Sequence, residues 1–405
     1  MRKHVRHLLS AQRDILSPQA IGGVTAAINE LNIAMAGGHT GKIRIKMEEL
    51  EFAANKWIKP YPNPLWRENV EVLLVALGVA MAIRTFFLQP FKIPTGSMQP
   101  TLYGVTSEPD FTPSKIDYWQ EDKRKEQAEL FQQVRLRETV TAPTGWERVK
   151  EWFEGISYVH FVAPTDGTLD EIGPPWPPAI FSIYQNFKFA GVWHTIWFPP
   201  DYGESNLAQR DGLDPGKFFY HKGDVVFNIR VHSGDHLFVD RLTYNFRKPE
   251  RGEIIVFETQ GITNLAADQQ GTFYIKRLVA LPGERVQIGD DRHLIINGQR
   301  LDASTPHFAG VYGFDTNTPP RESEFSGHVN GTVAREYDLY PNLAPLFPDA
   351  ETVVTNGPDS YMVMGDNTCN SSDSRTWGSF PTEKVIGKSF FVYWPITSRF
   401  GVDDQ

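Results

Sequence analysis

The sequence predicts a mainly β protein: an antiparallel sandwich- or barrel-like domain, preceded by an N-terminal transmembrane helix and carrying mixed insertions. Three observations predict it. An apolar run from Val72 to Leu88 is interrupted only by Arg84. From Lys222 onward, short β-like runs follow one another, divided by Gly, Pro and Asp with no helices between them. The 405 residues, 40% hydrophobic and 22% charged, are enough for a sizeable core beside one membrane anchor.

Residues 1–68 read as a polar cytoplasmic extension. Ser17-Pro18 has the form of an N-cap followed by proline at the first helical position, and Met47–Trp57 reads as a short amphipathic helix. Its plainer role is helical anchoring. Basic residues crowd this side of the apolar run (Arg2, Lys3, Arg6, Arg13, Lys42, Arg44, Lys46, Lys56, Lys59, Arg67), whereas the far flank offers only Lys92. That asymmetry predicts a cytoplasmic amino terminus and an outer carboxyl bulk. The span is placed at 69–90. As helix, Val72–Leu88 rises roughly 25 Å, close to the hydrocarbon thickness of a bilayer. Pro90 and Pro94 are expected to end it, leaving Ser97 on a rigid turn just outside the membrane. The first thirty residues lack the apolar core of a cleavable signal peptide, so this run is the targeting element.

Residues 91–405 form the expected outer domain, with insertions at about 103–222 and 291–359. In the first, Gln120–Glu138 and Glu147–Phe153 favour helix. Then Trp176, Phe181, Tyr184, Phe187, Phe189, Trp193, Trp197 and Phe198 crowd together, while Gln185, Asn186, Lys188 and His194 keep the segment from spanning a bilayer. An aromatic mini-core is preferred over a membrane-interface belt. Strand-like runs follow at 224–231, 236–242, 252–257, 272–281, 285–288 and 293–298, separated by turns such as Ser233-Gly234-Asp235 and Pro282-Gly283. Residues 300–352 are polar and turn-rich, a surface insertion. Strand texture returns at Ser360 and closes the chain near Pro395.

The charge balance of -9 argues against a nucleic-acid partner. One cysteine, Cys369, excludes an internal disulfide and a cysteine-rich metal site. His232 and His236 are separated by Gly234 and lack a glutamate at the H-E-x-x-H position, so no metal or cofactor is expected. The candidate nucleophile is Ser97. Its surroundings, Thr95-Gly96-Ser97-Met98-Gln99, lack the second glycine of a nucleophile elbow, so the base is sought elsewhere. The best candidate is Lys276. In a strand, Tyr274, Lys276, Leu278 and Ala280 share a face, and apolar neighbours there strip water from the ammonium and lower its pKa. Arg277 faces the other way and, always charged, cannot serve as base. Alone, Lys276 would be an ordinary solvated lysine; the Ser97 turn and the motifs below reverse that reading.

Four stretches resemble the boxes of type I signal peptidases, membrane-bound serine–lysine proteases that cut signal peptides from exported proteins. They are FKIPTGSMQPTL around Ser97, GDHLFVDRLTYNFRKPERGEIIVF from Gly234, YIKRLVALPGERV around Lys276, and GDNTCNSSDSRTWG from Gly365. The resemblance implies Ser97 as nucleophile and Lys276 as general base. It implies that the Thr95 hydroxyl joins the Ser97 N–H as an oxyanion hole, with threonine where serine is usual. It also implies that Ser371 orients the amine while Asp373 and Arg375 form a supporting ion pair. Phe91, Ile93, Pro94, Met98, Leu102, Tyr274 and Ile275 fall at positions that would line shallow substrate pockets. The implied partners are signal-peptide-bearing preproteins and the lipid bilayer of the bacterial inner membrane, with the catalytic domain on the outer side. The insertions leave open a substrate-restricting role, a membrane contact, or contact with the translocation machinery. Two other readings are a soluble serine–lysine self-cleaving protease, disfavoured by the apolar run, and an inactive envelope scaffold, disfavoured by intact Ser97, Lys276 and Ser371.

Overall fold

A computed structural model describes residues 1–59, 64–112, 140–177, 182–340 and 342–402. The chain divides into two compact units, Met1–Ala80 and Met81–Gln405.

In the first unit, α1 (Arg2–Ala11), α2 (Pro18–Ala36) and α3 (Thr40–Trp57) bury Val5, Val24, Ile28, Leu31 and Leu50 together. Val24, Ile28 and Leu31 recur at helical spacing, so one stripe of α2 supplies most of this small core. Ser17 caps α2 by accepting a hydrogen bond from the Ala20 N–H at 3.3 Å, ahead of Pro18. Met47–Trp57 lies inside α3, which already begins at Thr40. The next helix, α4 (Pro64–Phe86), runs across the division between the units. Its stretch Trp66–Phe86 has mean hydropathy 1.7, is not buried, and is long and apolar enough to cross a membrane.

That helix ends earlier than the expected span of 69–90. Leu88–Lys92 is strand β1, paired residue for residue with His236–Asp240. Apolar residues continue through the junction, so hydropathy cannot mark where helix gives way to sheet. Pro90 is tolerated because β1 is an edge strand.

The first insertion folds as two small antiparallel sheets. It contains β2 (Thr106–Glu108), α5 (Trp146–Phe153), β3 (Ile156–Val162), β4 (Gly167–Trp176), β5 (Tyr184–Phe189), β6 (Val192–Trp197), α6 (Leu207–Arg210), β7 (Phe219–Tyr220) and β8 (Val225–His232). The strand orders are β2-β8-β3 and β6-β5-β4-β7. The expected helix at Glu147–Phe153 is α5; the one at Gln120–Glu138 lies outside the described residues, as does Phe181. The aromatic run divides by strand alternation. Phe187 and Phe189 enter a core with Val159, Leu169, Phe227 and Ile229, while Trp176, Trp193, Trp197 and Phe198 are exposed. One boundary moves. Strand β8, read from its texture as the first catalytic strand, pairs with β2 and β3 instead, because pairing partners are chosen by tertiary contacts that local texture does not encode.

The remaining strands are β9 (His236–Asp240), β10 (Ile254–Glu258), β11 (Phe273–Ala280), β12 (Arg285–Ile288), β13 (Leu294–Ile296), β14 (Gln299–Arg300), β15 (Val354–Thr355), β16 (Ser360–Met364), β17 (Phe380–Pro381), β18 (Val385–Trp394) and β19 (Gly401–Val402). Short helices α7 (Gly331–Glu336) and α8 (Ser374–Trp377) flank them. The main sheet has the order β1-β9-β18-β10-β11-β16-β17, with β19 on β18, and the described pairings are antiparallel. A second sheet, β14-β13-β12-β15, lies within the second insertion and its flank. Residues 300–352 are more than a polar surface loop: Phe308, Val311, Tyr312, Ala344 and Phe347 pack on Val286, Ile288, Met362 and Met364. These apolar residues sit singly among turns, so no periodicity announces them.

Candidate active site

Ser97 lies in the loop after β1, and Lys276 near the middle of β11, opposite Ile255 of β10. Folding brings Lys276 Nζ to 2.7 Å from Ser97 Oγ, and Nζ also reaches the Ile275 carbonyl at 3.1 Å. Lys276 is 4% exposed and Ser97 9%, so the pair meets away from bulk water. Tyr274, two residues back on the same face, places its ring 5.2 Å from the amine. Burial is the dominant influence and lowers the Lys276 pKa to about 8. Asp373, Glu204 and Asp366 pull it back up and Arg375 pushes it down. At pH 7 about a tenth of the amine is therefore unprotonated and able to accept a proton, against well under a thousandth for an ordinary lysine.

The serine turn is held by the box that follows β16. The Asn367 N–H donates to the Ser97 carbonyl at 3.1 Å and its side-chain amide donates to the Gly96 carbonyl at 2.9 Å. Gly365 is needed for this approach, since a Cβ there would stand 2.4 Å from the Ser97 carbonyl oxygen and 2.2 Å from Ser371 Oγ. Gly104 is confined in the same way, against the Thr95 backbone, 2.1 Å from a Cβ built on it. The Ser97 N–H and the Thr95 hydroxyl have no hydrogen-bond partner among the described residues. Both are therefore free to donate to another group, as an oxyanion hole requires.

Two buried ion pairs lie in the same boxes as these residues. Arg375 grips Asp373 through Nε and Nη2, both at 2.9 Å, and both side chains are fully buried. Asp373 also accepts the Gly365 N–H at 3.0 Å and the Arg375 N–H at 3.1 Å, which caps α8. Burial pushes the Asp373 carboxyl up, but Arg375 and the Gly365 N–H outweigh it and keep the group below its ordinary range. Arg277, on the face opposite Lys276, clasps Asp366 at 2.8 and 2.7 Å, and Asp366 also accepts the Thr101 hydroxyl. Ser371 is placed differently from expectation. Its Oγ is buried near Asp373 without a well-formed hydrogen bond, and the bond to the Lys276 amine is not made.

The proposed pocket residues separate by depth. Ile93, Met98 and Leu102 are fully buried in one cluster with Leu237, Val239, Ile254 and Val256, and half-buried Phe91 and Ile275 pack against it. Pro94 caps the same turn, its carbonyl accepting the Val105 N–H at 3.3 Å. Tyr274 belongs instead to the neighbouring cluster around Phe257 and Leu278. So Phe91, Pro94, Ile275 and Tyr274 can border a substrate, while Ile93, Met98 and Leu102 form the floor. Sequence reasoning did not assign Asn367, Asp366 or Thr101. The first two lie inside the quoted box from Gly365, where an acid and an amide beside a glycine were the available signal. Ser323 donates its hydroxyl to Gln99 at 2.5 Å from the second insertion and carries no signal in the sequence.

The family model described as "Signal peptidase, peptidase S26" matches residues 66–122 and 228–394, so the chain belongs to that family. A signal peptidase I from Leptolyngbya laminosa is 30% identical over 167 residues, 41% of this chain and 63% of that protein. A probable signal peptidase I-2 from Synechocystis sp. is 31% identical over 163 residues, 40% of this chain and 56% of its own. This chain thus spans under two thirds of their length. A signal peptidase I from Haemophilus influenzae is 29% identical over 265 residues, 55% of this chain and 70% of that protein. The unmatched stretch between the two family segments, 123–227, falls mostly within the first insertion.

Proposed function

We propose that this protein is a membrane-anchored serine endopeptidase that removes signal peptides from exported preproteins, using Ser97 and Lys276 as a catalytic dyad. The observation that carries the reading is the 2.7 Å approach of Ser97 Oγ to a buried lysine amine whose pKa is lowered to about 8. Neutral Lys276 takes the Ser97 proton as Oγ attacks the scissile carbonyl. The developing oxyanion is held by the Ser97 N–H and the Thr95 hydroxyl. The resulting ammonium returns its proton to the leaving amine, and a water deprotonated by Lys276 hydrolyses the acyl-enzyme. Asn367 and the Asp373–Arg375 pair act by holding the serine turn and the box in place. An extended substrate would run along the free edge near β1, with small side chains over Phe91, Pro94 and Ile275.

α4 crosses the membrane with the basic residues 1–68 on the cytoplasmic side, the direction favoured by their excess over the far flank. The substrate's own apolar segment then lies in the same bilayer as the anchor. Purified full-length protein in detergent, given an authentic preprotein, is expected to release a new amino terminus following small residues at the first and third positions before the cut. Ser97→Ala is expected to abolish this while leaving the circular dichroism spectrum unchanged. Normal turnover by that variant would remove the mechanism.

A further inference from the structure

The first insertion returns to the active site through the loop Asp201–Ser205. We infer that Glu204, at the tip of this loop, gives the site a charge preference: a cationic side chain near the scissile bond of the substrate is favoured and an anionic one disfavoured. This rests on the protease reading above.

The loop is fixed against the nucleophile turn. Gly203 adopts φ +70°, and a Cβ there would stand 2.9 Å from the Pro94 carbonyl oxygen and 3.1 Å from Val105 Cβ. Asp201 forms an ion pair with Lys92 of β1. Tyr202 is buried in the insertion's aromatic core, and its carbonyl accepts Arg210 Nε at 2.7 Å. The same arginine reaches the Val105 carbonyl at 3.1 Å and Ser107 Oγ at 3.2 Å, tying the loop to the segment that follows Ser97. Glu204 takes no part in this fastening. It is exposed, and no salt bridge holds it among the described residues.

Its charge nevertheless reaches the site. The carboxylate raises the pKa of Lys276 and also that of Tyr274, which is pushed up to about 12 by burial first, then by Glu204 and Asp268. The charged groups acting on Lys276 are Asp373, Glu204, Asp366 and Arg375. Asp373 is neutralised by Arg375 and Asp366 by Arg277. Glu204 is thus the acid of this set with no arginine, and its field is available to a substrate. An exposed carboxylate on a pinned loop, contributing nothing to packing, is better placed to select than to stabilise.

The test uses the full-length protein and preproteins identical except for Lys, Gln or Glu at the two positions after the cut. In the wild type, kcat/KM for Lys over Glu is expected to be about tenfold at low salt, an exposed-pair effect that added salt shrinks. Glu204→Gln should bring the ratio near one, and Glu204→Lys should invert it. Glu204→Gln should also move the alkaline rise of kcat/KM to lower pH, because losing the acid lowers Lys276 further; a merely structural loop would not shift it. Peptide binding to Ser97→Ala provides the same comparison without turnover. An unchanged charge ratio in Glu204→Gln, in cleavage or in binding, overturns the inference. Absence of any cleavage by wild type overturns the protease reading instead, and the binding arm still decides the charge preference.

Discussion

The sheet that carries Lys276 and the inserted sheets before it are both antiparallel and both close around apolar cores, yet they bury charge differently. Behind β11, Arg277 and Asp366 are 2% and 0% exposed and Arg375 and Asp373 both 0%, each pair locked in a two-pronged grip. In the insertion the deepest ion pair among the described residues, Arg210 with Asp110, leaves the acid 14% exposed, and the core is a cluster of mostly edge-to-face rings, Phe161, Phe187, Phe189 and Phe227. Buried ion pairs add little net stability, because desolvation offsets their attraction; what they add is a penalty for every arrangement but one. That suits a region where a serine turn must meet a lysine within a few tenths of an ångström. The aromatic core contributes through buried area and tolerates adjustment.

The sharpest way to break the contrast is Asp373→Ala, which leaves Arg375 buried and unpaired. A loss of about 4–5 kcal/mol in unfolding free energy is expected, together with loss of cleavage even below the unfolding transition. Denaturant melts and preprotein assays would show it; a fully active, stable variant would mean that the pair does not organise the site. Phe187→Ala tests the other side. Removing a ring that is 2% exposed should cost about 3–4 kcal/mol as a cavity opens. Cleavage of a substrate with neutral flanks should survive at temperatures where the protein stays folded, while the charge preference assigned to Glu204 weakens, since Tyr202 packs in the same cluster. If cleavage of neutral substrates were lost first, the insertion would be holding the dyad itself.

How much of this was legible depended on range. Ser97 drew attention through two prolines and a glycine within its own turn, and Lys276 through alternation along one strand; both signals are local. The capping of α2 by Ser17 was equally local and is present. The end of α4 was not legible, because Phe87 and Leu88 prolong the apolar run past its last turn, and Leu88–Lys92 becomes strand only through β9. Nor was the membership of β8, whose partners lie over a hundred residues away in β2. Phe308 and Phe347 were hidden by the turns around them. Glu204 gives no local sign at all: the loop that carries it meets Pro94 only because an insertion folds back there.

The smallest expected effect separates the two costs that meet at Lys276. The amine has a folded pKa of about 8 against 10.5 in an unstructured chain. Below about pH 8 the lysine is charged in both states, and the folded protein bears the whole desolvation penalty, on the order of 3 kcal/mol. Between about 8 and 10.5 the unfolded chain binds the extra proton, so stability rises with pH; above that the penalty is gone. Lys276→Met, similar in volume and uncharged, should therefore be more stable than wild type near pH 6 by about 2–3 kcal/mol, with the advantage fading by about pH 10.5. The same titration predicts that wild-type kcat/KM climbs through about pH 8 towards a plateau. Thermal melts across pH, set beside the cleavage profile, would check both. A Met variant that is less stable at pH 6, or a difference that ignores pH, would mean that the buried amine is not the strained element of the site. Catalysis here would then depend on something other than a lysine held against its preference for water.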